Sequence, residues 1–406
     1  MKKTLGIEKV REGYKQTSIG IIPEDWKIEK LTNIAEIIMG QSPSSTSYNQ
    51  EGIGPFLIQG NADIKNRISS PRVYTSEPTK FCDINDILLS VRAPVGTIAK
   101  AAHQACIGRG ICALRPKKSY SEYIYQYLLS FEPKWAEFEQ GSTFQAINTN
   151  DIKALKIPIP LENERRELTQ ILSTWDEAIA KQKSLVEQTK KRNQGLAQQL
   201  LSGKKRLKGF DGEWKFKTIE DCVDYTPRPI DKPNSAFFAL GIRSHGKGIF
   251  HKNNFEPEDI AMDVLYEVKK DDLIVNITFA WEQAIAIANE KDNGGLVSHR
   301  FPTYTFKSNI SSPDFFRYFI IQKKIKYLLE LISPGGAGRN RVMSKKDFLK
   351  LEILVPDFKE QNAIGELLNK ANEELALQEK QLTSLQNEKK GLMQKLLTGE
   401  IRVKIN

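Results

Sequence analysis

The chain has few of the residues that covalent or metal chemistry needs. Its 406 residues include four cysteines, Cys82, Cys106, Cys112 and Cys222, and none forms a CxxC pair. The four histidines, His103, His245, His251 and His299, show no metal-ligand spacing. This argues against a zinc site and against a disulfide framework, and leaves buried free thiols. No apolar run approaches the roughly 20 residues of a membrane helix. The opening MKKTLGIEKVREGYK is charged throughout and lacks the apolar centre of a signal peptide. With a mean hydropathy of −0.44, the composition implies a soluble, cytoplasmic protein.

Catalytic motifs are lacking as well. The glycine frame GIRSHGKG (241–248) resembles a phosphate-binding loop, but Gly248 stands where a Ser or Thr hydroxyl must hold magnesium. The next stretch, IFHKNNFEPED, is a poor helix start, so the helix N-terminus that would cradle phosphate is missing. A surface loop fits better. A DNA methyltransferase would need a glycine-rich cofactor motif and an Asp/Asn-Pro-Pro-aromatic tetrapeptide, and neither occurs. VPDFKE (355–360) could suggest a nuclease carboxylate pair, but its counterpart IPLENE has no such arrangement. Asp357 and Glu360 are better read as acids stabilising a helix N-terminus.

What the chain does have is repetition. From Asp151 and from Asp347, two stretches run without a gap to Arg206 and Arg402, a shift of 196 positions. Sixteen positions are identical, among them Leu155/Leu351, Pro160/Pro356, Glu164/Glu360, Gly195/Gly391, Leu200/Leu396 and Gly203/Gly399. A glycine loop precedes each copy, GSTFQAINTN (141–150) and GGAGRNRVMSKK (335–346). Looser matches precede those: Trp26 answers Trp214, INDILLSVRAPVG answers KDDLIVNITFAWE, and IGRGICALRP answers VSHRFPTYTF. The two tryptophans read as core anchors.

Within each copy, apolar residues recur at three- and four-residue steps, from Leu168 to Val186 and from Ile364 to Leu396. That pattern predicts two helices of about 40 residues, each roughly 60 Å long, ending at Gly203 and Gly399. One apolar stripe on so long a helix needs a partner, and the other copy is available for an intramolecular coiled coil. The remaining segments alternate short β-rich runs (GPFLIQG, DILLSV, GICALRP, AFFALGI, DLIVNIT, PTYTFK) with two helical stretches, YSEYIYQYLLS and SPDFFRYFIIQKKIKYLLELI. The predicted fold is α+β, with two recognition-type domains separated by two long antiparallel helices in an internal pseudo-twofold repeat. The expected boundaries are an arm at 1–20, a domain at 21–158, a helical spacer at 159–204, a domain at 205–354 and a second spacer at 355–406.

These joints resemble the specificity subunit of type I restriction–modification systems. The carrying residues are IGIIPEDWKIEKL (19–31), GSTFQAIN leading to LKIPIPLENERRELTQIL, and LLSGKKRLKGFDGEWK, answered by LEILVPDFKEQNAIGELL and LLTGEIRV. The resemblance covers essentially the whole chain. It departs at Gln145 and Ala146, where the family often carries Lys-Asn, and more widely at GGAGRNRVM. It implies a non-catalytic chain in which each variable segment reads one half of a bipartite double-stranded DNA target. The helices would hold the two domains apart and dock two modification subunits. Those partners would bind S-adenosylmethionine and methylate adenine, and restriction subunits would bring ATP and magnesium, so this chain itself holds no cofactor and no metal. In this scheme 202–215 is a linker, and the arm at 1–20 takes the linker's place at the other end. The alternative is a freestanding DNA-binding regulator without an enzyme partner, or a coiled-coil scaffold.

Net charge is +10 with a pI near 9.1. The excess peaks along 156–208, with 12 basic against 6 acidic residues, so KKRNQ (190–194) and GKKRLK (203–208) could meet phosphate or partner subunits. Bases are read by Arg on guanine and by Asn or Gln on adenine. In the first domain the candidates are Gln41, Ser42, Ser44, Ser45, Asn61, Arg92, Arg109, Ser142, Thr143 and Gln145. In the second they are Arg243, His245, Lys247, Asn276, Trp281, His299, Arg300, Arg339, Asn340 and Arg341. Arg109 and Arg300 are expected at matching places after matching strands.

Overall fold

The computed structural model describes residues 10–141, 147–335 and 341–404. They fall into two compact units, one made of the chain up to Lys183 together with Gln381 onward, the other of Ser184–Lys380. Each unit therefore holds one globular segment, part of the first long helix (Glu162–Leu201) and part of the second (Phe358–Leu396).

In the first unit, strands Ala35–Met39, Ile111–Pro116, Ile87–Ser90 and Ile98–Lys100 lie side by side and antiparallel, with Ile68–Ser69 and Ile64–Lys65 extending the sheet. ILLS at 87–90 is buried at every position, as a strand covered on both faces requires. A second, five-stranded sheet runs Phe81–Cys82, Ala105–Ile107, Phe56–Ile58, Val73–Thr75, Tyr48–Asn49. The segment is closed by Lys156–Ile159 pairing antiparallel with Lys27–Lys30.

The second unit repeats the plan. Val223–Tyr225, Thr303–Phe306, Leu273–Val275 and Ile285–Ile287 form the antiparallel sheet, a five-stranded sheet flanks it, and Lys215–Thr218 pairs with Glu352–Val355. All six predicted β-rich runs are strands. The stretch SPDFFRYFIIQKKIKYLLELI is two helices, Pro313–Phe319 and Lys323–Leu331, where the sequence suggested one. Gln283 makes the break possible, because its side-chain amide donates to the carbonyls of Ile320 and Gln322, both at 3.0 Å.

Both long helices end as their glycines predict. Gly203 and Gly399 have φ of 70° and 74°, and the amides of Lys205 and Ile401 return to the carbonyls of Gln199 and Lys395. Beyond each glycine the chain docks on the start of a globular segment. In the first unit Arg402 pairs with the buried Glu164 and with Asp25, and Trp26 donates to Glu164 at 2.9 Å. In the second unit Arg206 pairs with the buried Glu360 and lies over Trp214. Hydrogen bonding to these carboxylates pushes both guanidinium pKa values up. Trp26 is fully buried and Trp214 partly so, so both are anchors, and truncating the first would cost about 3–5 kcal/mol. The arm forms a hairpin, Tyr14–Thr17 with Gly20–Pro23, and the Tyr14 hydroxyl donates to the Gly399 carbonyl at 2.8 Å.

Candidate nucleic-acid interface

In the first unit, four loops leave the strand ends together. Gly40 donates its backbone N–H to Ile111 and Gln41 to Ile107, Gly108 donates to Ile58, and Val91 to Gly110, all at 2.8–2.9 Å. The Arg109 amide donates to the Ser42 hydroxyl at 3.1 Å. The packing leaves no room for side chains at the crossings. A Cβ on Gly40 would lie 2.2 Å from the Gly108 carbonyl, and one on Gly110 2.3 Å from that of Gln59. Gly108 and Gly110 are thus buried, while Arg109 between them is exposed. A guanidinium displayed on a braced turn is suited to reading a base edge, since little order is lost on contact.

Of the candidates, Gln41, Ser42, Arg92 and Arg109 belong to this convergence, and Asn61 stands two residues beyond Gln59. Ser44 and Ser45 lie just past Ser42, where Ser44 shares a hydrogen bond with Thr46 and Ser45 opens a short 3₁₀ turn. Ser142, Thr143 and Gln145 lie outside the described residues. Ile147, the next described residue, donates its amide to the Val91 carbonyl at 3.0 Å. Gln59 and Thr79 are absent from the sequence candidates. Gln59 is exposed beside Gly110, and the Thr79 hydroxyl donates to the Gln41 carbonyl. A glutamine between a strand and a glycine, as in LIQGN, was the available signal for the first.

In the second unit, the segment Asn276–Ala284 is the hub. Ile277 donates to Arg300 at 3.0 Å and Met343 donates to Ile277 at 2.9 Å. Arg300 reaches the Thr278 hydroxyl. Arg341 stacks over Trp281 at 5.1 Å. On the other side, His245 and Gly246 donate to the carbonyls of Glu282 and Gln283. His299, Arg300, Arg243, His245 and Lys247 are exposed. Asn276 is buried and spends its side-chain oxygen on the Thr278 amide, so it shapes the turn. Arg339 and Asn340 lie outside the described residues.

The hydrogen bonds also fix which residues match. Val91 donates to Gly110 and receives from Ile147, while Ile277 donates to Arg300 and receives from Met343. Gly110 therefore corresponds to Arg300, and Arg109 to His299. The expected Arg109/Arg300 match is one residue out of register. The loop GIRSHGKG is the turn of an antiparallel hairpin, Phe237–Ile242 with Ile249–Phe255, not a strand-to-helix phosphate cradle. Among the described residues, no group of three or more His, Cys, Asp or Glu is placed to hold a metal ion, and no helix is long and apolar enough to cross a membrane.

Comparison with known proteins agrees with this plan. The family described as the type I restriction modification DNA specificity domain matches twice, over residues 23–188 and 212–387. A Methanocaldococcus jannaschii chain named as the specificity subunit of the type I restriction enzyme MjaX is 38% identical over 201 residues, 48% of this chain and 47% of its own length. The chain thus spans about half the length of that relative. The MjaVIII specificity subunit of the same organism is 22% identical over 97% of both chains. The crystal structure of a type I restriction–modification S subunit from M. genitalium shares the fold, with a TM-score of 0.57 at 17% identity, over 98% of this chain and 99% of that one. Carrying the domain twice, the chain belongs to the type I restriction–modification DNA specificity family.

Proposed function

We propose that the chain is the non-catalytic, DNA-reading subunit of a type I restriction–modification enzyme. Each loop convergence would read one half of a bipartite double-stranded target in the cytoplasm. The observation that carries this reading is the matched pair of braced turns, 108–110 and 298–300. Each displays a cationic or imidazole side chain at the same place in its own unit.

The division of labour rests on what each residue type can do. Arg109, Arg92 and Arg300 can give bidentate contacts to guanine or single contacts to phosphate, and Gln41 and Gln59 can pair with adenine. The basic stretch from Lys190 to Lys208 offers phosphate contacts, whose strength falls with salt. The long helices would dock two adenine-methylating subunits, which carry S-adenosylmethionine and extrude the target base. Restriction subunits that use ATP and magnesium would join that core, and this chain would contribute no cofactor of its own. Methylation assays with the purified chain alone and with its methylating partners test this. Activity only in the assembly, at a two-part sequence, supports it, and methyl transfer by the chain alone contradicts it.

A further inference from the structure

The interhelical contacts of the two units agree at their ends and differ in between. At the ends, Arg402–Glu164 in the first unit and Arg206–Glu360 in the second are the same pair, shifted by the repeat. Further in, the second unit joins Lys190 to Glu379 at 2.9 Å and Arg192 to Glu374 at 2.5 Å, and Asn193 donates to the Ala371 carbonyl at 2.7 Å. The first unit has another set. There Lys389, with 8% of its side chain exposed, meets Asp176 at 2.6 Å and Gln126 at 3.1 Å, and Gln126 donates to Asp176 at 2.7 Å.

Shifting by the repeat shows how unlike these sets are. Lys389 corresponds to Asn193, and Asp176 to Asn372. Lys190 and Glu379 correspond to Gln386 and Lys183, and Arg192 and Glu374 to Glu388 and Ala178. None of the charged contacts between those positions is kept by its counterpart pair.

We propose that these inner contacts are a pairing code: each long helix selects the other helix of the chain and rejects a second copy of itself. If the first helix met its own copy, Lys190 would face Lys183, and Asp176 would face Asn193 instead of Lys389. If the second met its own copy, Glu374 would face Glu388, and Lys389 would be buried beside Asn372 with no carboxylate. The end pairs would survive either way, so they cannot discriminate. Exposed ion pairs contribute little each, whereas an unpartnered buried charge is strongly disfavoured. Lys389 therefore carries most of the selection, and Lys190 in the first helix and Glu374 in the second reinforce it by like-charge exclusion.

The test uses the full chain with a protease site inserted at Gly209, an exposed residue whose Cβ direction is open. The folded protein is cut there, unfolded in urea, diluted back, and its pairs are counted by native mass spectrometry. Random rejoining gives like and unlike pairs in equal amount. The code predicts that the wild type forms the mixed pair in about tenfold or greater excess over like pairs. Lys389→Asn with Asp176→Asn, which gives the first unit the amides of the second, should lose most of that excess. Lys389→Glu with Asp176→Lys should keep it, which a packing role alone would not. Random or absent rejoining of the wild type, an undiminished excess in the amide variant, or no excess in the exchanged-charge variant would each overturn the proposal.

Discussion

Arg402 holds Glu164 across 238 positions of chain, with Nε and Nη2 donating to the two carboxylate oxygens at 2.5 and 2.8 Å. Arg206 holds Glu360 in the same manner, both contacts at 2.6 Å. The leucine-glycine-arginine phrase that ends each long helix is thus a clasp. The glycine turns the chain, and the arginine seizes the acid at the start of the opposite helix.

Because Glu164 and Glu360 are each about 1% exposed, removing either arginine leaves a buried charge without its cation. Arg402→Ala and Arg206→Ala should each lower stability by about 3–5 kcal/mol, read as a shift in the urea midpoint. Changes below about 1 kcal/mol would mean that the clasps are ornamental.

The repeat, the two helices and their glycine ends were legible because apolar period and left-handed turns are local signals. The clasps were half legible. Glu164/Glu360 and Arg206/Arg402 stood out as identical pairs, but sequence could not show that each arginine reaches the acid of the other repeat. The helix break at 320–322 was hidden for a similar reason, since the amide that relieves it belongs to Gln283. At the candidate interface, loop membership was readable from glycine and charge. Register was readable too, since IGRGICALRP set over VSHRFPTYTF puts Arg109 against His299, and matching Arg109 to Arg300 was a one-residue slip from that alignment.

Gly110→Ala should damage the first interface, because its Cβ would press on the Gln59 carbonyl, a backbone atom that cannot swing aside. Gly60→Ala, whose Cβ meets nothing within 4 Å, is the matched control. Fluorescence-anisotropy titration of the assembled enzyme with target DNA should show weakened binding for the first variant and near wild-type binding for the second. Equal affinity for both would remove the loop convergence from the DNA contact.

Arg109→Ala should cost about 1–3 kcal/mol of binding to the cognate target if the guanidinium reads a base. The loss should shrink on DNA altered only in the half-site that Arg109 contacts. A uniform loss on every sequence, with a lower salt slope, would identify a phosphate contact instead.

All four cysteines are buried. Burial pushes the Cys82 and Cys222 thiols up to about 11 and Cys112 up to about 12. At pH 8 a thiol of pKa 11 is ionised to roughly one part in a thousand, and alkylation needs the thiolate. Iodoacetamide should therefore label these three slowly in the native protein and rapidly in urea. Fast native labelling of Cys112 would contradict its place in the core.

The central claim is that two separate readers share one chain, and exchanging one of them tests it most directly. Residues 20–155 would be replaced by the corresponding segment of another family member, and the enzyme assembled with its methylating partners. Methylated adenines would then be mapped by long-read sequencing of the host genome. The account predicts that one half of the recognised sequence changes while the other half stays the same. A change in both halves, or in neither, would contradict it.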